Sequence, residues 1–200
     1  MSTWTLEGVR EALRGRPPAR LRAPLPRQAS VALILSAAGS DLEALFIRRA
    51  EREEDPWSGQ IAFPGGRAEP GESPFDTAVR ETFEEVGLDL SKSADLLGGL
   101  DEIQAVGRNR LLGLSIQPWV FGLRGPPGPL VCSDEVASAH WLRLGDLLDP
   151  ARQASFPYDR DGEARTLPCI AIAGLVIWGL TYRMFASFAD VLSHSSSRSP

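Results

Sequence analysis

GRAEPGESPFDTAVRETFEEVGL, residues 66–88, is the stretch whose reading decides the fold. A glycine-rich loop opens it, and helix signals follow. Ser73 can cap a helix, Pro74 suits its first turn, Asp76 sits three residues after the cap, and Gly87 can end it. Side chains three and four positions apart are neighbours on a helix, so Glu81, Glu84 and Glu85 are expected on one side, beside Arg80. Val79, Thr82, Phe83 and Val86 keep the helical rhythm and predict a stripe turned to the core. Three clustered acids are costly unless water screens them or a hard divalent cation, Mg2+ or Mn2+, takes their oxygens. Taken alone they fit a solvated face at least as well as a site.

Working outward, residues 31–35 and 44–47 are apolar enough for central strands, with residues 38–41 as the turn between them. Beyond the arginine-rich residues 48–55 and Pro56-Trp57-Ser58-Gly59, a strand over residues 60–63 delivers the chain to Pro64-Gly65-Gly66. Further strands are predicted at residues 96–103, 114–123, 137–142 and 165–172, and a closing helix over residues 175–192. Leu6, Val9 and Leu13 mark an N-terminal helix, and Pro17, Pro18, Pro24 and Pro26 an extended connector. The expected organisation is residues 1–29 as helix and proline-rich connector, residues 30–192 as one domain, and residues 193–200 as a disordered serine-rich tail.

Two hundred residues suffice for one domain with a sizeable core. A net charge of −5 gives no basic footprint, which argues against a polymeric nucleic acid and leaves a small nucleotide open. Lys92 is the sole lysine, so the cations are arginines, whose planar fork suits phosphate; the bias runs through the whole chain and fits genome composition better than function. Cys132 and Cys169 show no metal-ligand spacing, and His140 and His194 support no nucleophile mechanism. The apolar run over residues 167–180 is too short and interrupted to span a bilayer, and no secretory signal is read at the N-terminus, so the cytoplasm is the expected compartment.

The opening stretch resembles the signature of the Nudix hydrolases, GX5EX7REUXEEXGU with U a bulky aliphatic residue. Gly66, Glu72, Arg80, Glu81, Glu84, Glu85, Gly87 and Leu88 fall at its spacings, and Thr82 departs where an apolar residue is wanted. The resemblance implies an α/β fold, the Nudix fold, an α/β/α sandwich with a mixed central sheet. It also implies a Nudix diphosphatase, hydrolysing a nucleoside diphosphate linked to another moiety, with Mg2+ or Mn2+ held by Glu81, Glu84, Glu85 and the Gly66 carbonyl. Arg80 belongs to that catalytic set as the residue that orients it, with Glu72, Gly65 and Gly87 as structural support. The general base falls among Glu81, Glu84 and Glu135. A Nudix domain that only binds nucleotide usually loses a metal carboxylate, whereas all three are present here.

Upstream, LFIRRAEREEDPWSGQIAFPGG resembles the segment of the coenzyme A diphosphatase branch, LLTXR(S/A)X3RX3GX3FPGG. Gly59 and Phe63-Pro64-Gly65-Gly66 match, Arg49-Ala50 matches with one residue inserted, and Glu53, Glu54 and Asp55 stand where the middle arginine belongs. Ile177-Trp178-Gly179-Leu180-Thr181 is similar to a late segment of the same branch. The implied substrate is coenzyme A or a derivative; ADP-ribose, dinucleotides and oxidised nucleoside triphosphates are the alternatives. Arg48, Arg49 and Arg52 are expected at its phosphates and Trp57 at its base, against an ordinary charged loop and a packed indole. A small-molecule substrate and a monomer or homodimer complete the expectation.

Overall fold

β1 (Arg27–Ser36) is buried along eight consecutive residues, a pattern that belongs to a strand covered on both faces. The computed structural model, which describes residues 4–37, 39–53, 55, 57–107, 110–160 and 163–196, places it accordingly at the centre of a mixed sheet. β1 runs parallel to β7 (Arg110–Leu123), from Arg27 opposite Leu114 to Leu35 opposite Gly122. A parallel pair needs a crossover, and the chain between these strands supplies it together with the residues quoted above. β7 also pairs antiparallel with β5 (Ala94–Gly99) and β6 (Ile103–Gly107).

On its other side β1 meets β2 (Glu43–Arg49) only at Leu35 and Ser36. The two strands then part. β2 continues along β8 (Val136–Arg143) and pairs at its end with β3 (Ile61–Ala62), while β1 takes β4 (Gly65–Arg67) as partner at Ala29, Ser30 and Val31. Residues 61–67 are thus wedged between diverging strands, held also by the Ala32 N–H on the Pro64 carbonyl at 2.8 Å. Gly65 has φ 148°, and a Cβ there would lie 2.2 Å from the Ser30 carbonyl oxygen, so the wedge admits only glycine.

Side chains alternate across the sheet and feed two cores. Ala32, Ile34, Leu45 and Ile47 pack with Ala78 and Val86 of α2 (Pro74–Val86). Leu33, Leu35, Ala44 and Phe46 pack with Phe185 and Phe188 of α5 (Gly179–Ser196) and with Val9 and Leu13 of α1 (Leu6–Arg14). The result is the α/β/α sandwich with a mixed sheet. Phe46 lies at the centre of one core, its ring 4.8 Å from that of Phe63 and 6.4 Å from that of Phe185. Among the described residues no helix is long and apolar enough to cross a membrane.

Several elements differ from the sequence reading. Residues 175–178 are a strand, β11 (Leu175–Trp178), rather than the start of the closing helix. Ala173 and Gly174, with φ 50° and 74°, form a two-residue turn whose twist suits a hairpin, and Gly179 separates strand from helix. β9 (Gln153–Arg160), β10 (Glu163–Ile172) and β11 make a separate antiparallel sheet; Ala154, Phe156 and Tyr158 alternate along β9, a strand pattern the sequence reading passed over. Two short helices, α3 (Leu90–Ser93) and α4 (Leu144–Leu148), also lack a long apolar pattern. α5 runs through Ser196, four residues into the expected tail; residues 197–200, like Ala38, Glu54 and Pro56, lie outside the described residues. Phe83 is 56% exposed, so the predicted core stripe of α2 is displaced onto Thr77, Ala78, Thr82, Glu85 and Val86. Thr82 is fully buried because its hydroxyl donates to the Ala78 carbonyl at 2.7 Å, which removes the cost of a polar atom in the core.

Phe46→Ala is expected to lower the unfolding free energy by about 3–5 kcal/mol, while Thr82→Val changes it by less than about 1 kcal/mol, both read from urea titrations.

Candidate active site

α2 is fixed at both ends by its own sequence. Ser73 Oγ accepts the Asp76 N–H at 3.1 Å, Pro74 occupies the first turn, and Gly87, with φ 72°, returns its N–H to the Phe83 carbonyl at 2.9 Å. With the helix so placed, its acids divide by depth. The Glu84 side chain is 55% exposed, that of Glu81 17% and that of Glu85 4%. Arg80 reaches Glu81 and Glu84, while Glu85 turns inward to the loop backbone that the parted strands leave it to meet.

Arg80 organises the outer part. Its Nε donates to Glu72 Oε1 at 2.8 Å and one Nη2 hydrogen to Glu72 Oε2 at 3.0 Å, a bidentate pair. Nη1 donates to Glu81 and Glu84 at 3.0 and 2.9 Å, and Nη2 also to the Arg67 carbonyl at 3.0 Å. These bonds use all five guanidinium hydrogens. Arg80 is therefore an orienting residue, with no donor left to offer a substrate. Glu72 further accepts from Thr77 Oγ1 and the Glu69 N–H. The Arg80 bonds hold its carboxyl down to about 2, and Glu72 in turn raises Arg80 above its usual value.

The inner part has the opposite electrostatics. Glu85 Oε2 accepts the Gly65 N–H at 2.8 Å, and Oε1 lies 3.9 Å from Arg49 Nη1. Burial pushes the Glu85 carboxyl up to about 7, against the Gly65 bond and the Arg49 charge. Burial likewise raises Glu81, with Arg80 opposing. A Cβ on Gly66 would sit 2.4 Å from the Glu81 carboxyl, so a larger residue there would push that carboxyl from its place.

These groups lie in a cleft of about 610 Å³. Glu81, Glu85 and Glu135 line it together with Gly65 and Gly66, and Ile116, Leu180 and Met184 add apolar wall. Of the expected substrate contacts, Arg49, Arg52 and Trp57 line the cleft. Arg48 does not: the alternation of β2 turns it to the other face, where, after burial, its charge lowers His140. Glu84 also stays outside the lining, drawn to Arg80. Arg52 is paired with Glu135 at 3.0 Å and Asp134 at 3.3 Å. Two contributors escaped the sequence reading. Thr181 Oγ1 donates to the Ile61 carbonyl at 2.9 Å and ties α5 to β3, and the late Ile-Trp-Gly-Leu-Thr segment was its only signal. Asp55 accepts the Arg49 guanidinium, and one acid in a charged run gives no sign of that.

The fit to a divalent cation rests on donor chemistry. Glu81 and Glu85 offer buried hard oxygens with charge in excess of their partners, and the Gly66 backbone lies close beside Glu81. Among the described residues no three acidic, histidine or cysteine side chains are gathered tightly enough to hold an ion as they stand, since Arg80 Nη1 occupies the space between Glu81 and Glu84.

A family profile described as NUDIX domain matches residues 26–161. A protein of Schizosaccharomyces pombe is 39% identical over 155 residues, covering 67% of this chain and 46% of its own. The peroxisomal coenzyme A diphosphatase ndx-8 of Caenorhabditis elegans is 30% identical over 135 residues, covering 66% of this chain and 56% of its own. The chain thus spans about half the length of these curated relatives. Among solved structures, a MutT/nudix family protein from Enterococcus faecalis superposes with a TM-score of 0.53 at 16% identity, over 95% of this chain and 70% of its own, which shows a shared fold.

In metal-free protein Glu85 sets a pH dependence of known sign. Its folded value of about 7 exceeds the unfolded 4.5, so its contribution is fully present below pH 4.5 and is lost as pH rises through 7, on the order of 3 kcal/mol. Glu72, held at about 2, works the other way: its contribution is present above pH 4.5 and is lost as pH falls toward 2. Thermal unfolding in chelator between pH 4.5 and 8 is expected to show the decline, and Glu85→Gln to flatten it and raise Tm at pH 8.

Proposed function

The chain belongs to the Nudix family, and from that premise we propose that it hydrolyses the diphosphate bond of a nucleoside diphosphate derivative, with coenzyme A or its derivatives as the substrate class. The products from coenzyme A are 3',5'-ADP and 4'-phosphopantetheine. The observation that carries the reading is the buried Glu85 carboxyl beside Glu81 and the Gly65-Gly66 backbone, in a cleft that apolar side chains also line. A cleft lined by both kinds of group suits a molecule with a charged part and an apolar or aromatic part.

In this reading Glu81, Glu84, Glu85 and the Gly66 carbonyl hold Mg2+ or Mn2+. The ion supplies neutralisation of the diphosphate and a water of lowered pKa. The chain's own residues do the rest. Arg80 and Glu72 hold loop and helix in register, Arg49 offers its Nη1 edge to a phosphate oxygen, and Trp57 gives the cleft an aromatic wall. Glu135 faces Glu81 and Glu85 closely enough for its charge to raise both, and it is the group we assign to take the proton from the attacking water. Burial around Glu85 excludes competing water from the reacting end.

A second reading has its own support. Arg52 is occupied by Asp134 and Glu135, and Arg49 by Asp55, so two of the arginines expected at a 3'-phosphate are already engaged, and Arg67 is the cleft arginine with no ion pair among the described residues. A substrate without that group, ADP-ribose or a dinucleotide, meets this charge pattern. A cytoplasmic monomer or homodimer is the state we propose, and gel filtration checks the latter.

Purified protein with Mg2+ or Mn2+ is expected to release 3',5'-ADP and 4'-phosphopantetheine from coenzyme A, and chelator to abolish the release. Cleavage of ADP-ribose with coenzyme A untouched selects the second reading. Glu85→Gln and Glu84→Gln are expected to lower kcat by at least about 100-fold with the circular dichroism spectrum retained; unaltered turnover would remove the site assignment.

A further inference from the structure

Arg49 and Glu85 carry opposite charges in a part-buried cleft, yet they stop 3.9 Å apart. Full hydrogen-bonded contact would gain more than this separation does, so something restrains the guanidinium. The restraint is visible. Asp55 Oδ2 accepts Arg49 Nε at 2.9 Å and Nη2 at 2.8 Å, leaving only Nη1 toward Glu85. Asp55 is itself fixed. Its Oδ1 accepts the Trp57 N–H at 3.0 Å, its N–H donates to the Arg52 carbonyl, and its carbonyl accepts the Ser58 N–H. The Arg49 N–H is anchored on the Gln60 carbonyl at 3.0 Å. The Asp55 side chain is 14% exposed, so this is a part-buried ion pair rather than a surface one.

From this we infer that Asp55 is a positioning residue, which holds Arg49 back from Glu85 and presents its Nη1 edge to the cleft. Without it Arg49 closes on Glu85, occupies a carboxylate that the diphosphate reading assigns to the metal, and loses its aim at the phosphate. The same carboxylate fixes the backbone of Trp57, so one acid sets both a cation and an aromatic wall. An acid in the stretch where the coenzyme A branch carries arginine thus acquires a role: it moves the guanidinium that is already there instead of adding another. The inference rests on the metal-dependent diphosphate reading.

The test uses the full chain and Mn2+ as a probe without substrate. Asp55→Ala is expected to weaken Mn2+ binding about tenfold and raise KM about tenfold, with kcat within about threefold of wild type. Asp55→Ala combined with Arg49→Gln is expected to restore Mn2+ affinity while KM stays high, because the competing cation is gone but its phosphate contact is gone too. Asp55→Asn, which keeps an acceptor for the Trp57 N–H, serves as the readout if the alanine variant does not fold, and the same weakening is expected. Unchanged Mn2+ affinity in the single variants, or affinity that stays weak in the double variant, would overturn the inference. Wild-type protein that binds no Mn2+ overturns both this and the diphosphate reading. Wild-type protein that binds Mn2+ but cleaves no nucleoside diphosphate overturns the reading alone, since the Mn2+ measurements still decide the role of Asp55.

Discussion

The Gly65 N–H on the Glu85 carboxylate depends on two strands failing to stay paired. β1 and β2 separate after two residue pairs, and the space between them is filled by a short wedge of chain. Only glycine fits at Gly65, where the Ser30 backbone is too near, and a side chain at Gly66 would displace the Glu81 carboxyl. Once the wedge is seated its backbone reaches α2, and α2 can bury a glutamate in what would otherwise be core. The sheet, the helix and the cleft between them all follow from that fit.

Within one helix and its leading loop, carboxylates then exist in two regimes. Glu72 is saturated by Arg80, Thr77 and the Glu69 N–H, and is held at about 2. Glu85 has one hydrogen bond and an arginine kept at a distance, and it rises to about 7. The first regime is a fastening, since charge and donors are matched. The second leaves charge wanting a partner from outside, which is the condition for binding a cation.

What the sequence reveals here follows from how local each feature is. The ends of α2 are set by Ser73, Pro74 and Gly87, and they lie where the residues predict because caps involve only neighbouring backbone. The β1, β2, β7 and β8 cores show as apolar runs for the same reason. The depth of Glu85 and the exposure of Phe83 were not legible, because the helical period fixes angles between side chains but not which angle meets the wedge. Ala173-Gly174 was read into an apolar run, since a hairpin turn and a helix start both tolerate such a pair. Arg48 and Arg49 are adjacent in sequence yet on opposite faces, a distinction that needs the register of β2. Asp55 was legible only as a departure from a pattern; its partners lie six residues back and two ahead and are joined by a turn.

The ties across the cleft mouth differ in kind from those beneath it. Arg52 meets Asp134 and Glu135 through side chains that are half or more exposed to water on the acidic side, and pairs of that sort contribute little to stability and weaken as salt rises. The glycine wedge and the Arg80 hub are backbone-bound and close-packed. Tolerance to substitution is accordingly unequal: the rim can exchange charges at small thermodynamic cost, while a side chain at Gly65 would collide with the Ser30 and Val31 backbone. Charge at the mouth and geometry at the floor are therefore separable properties of this cleft.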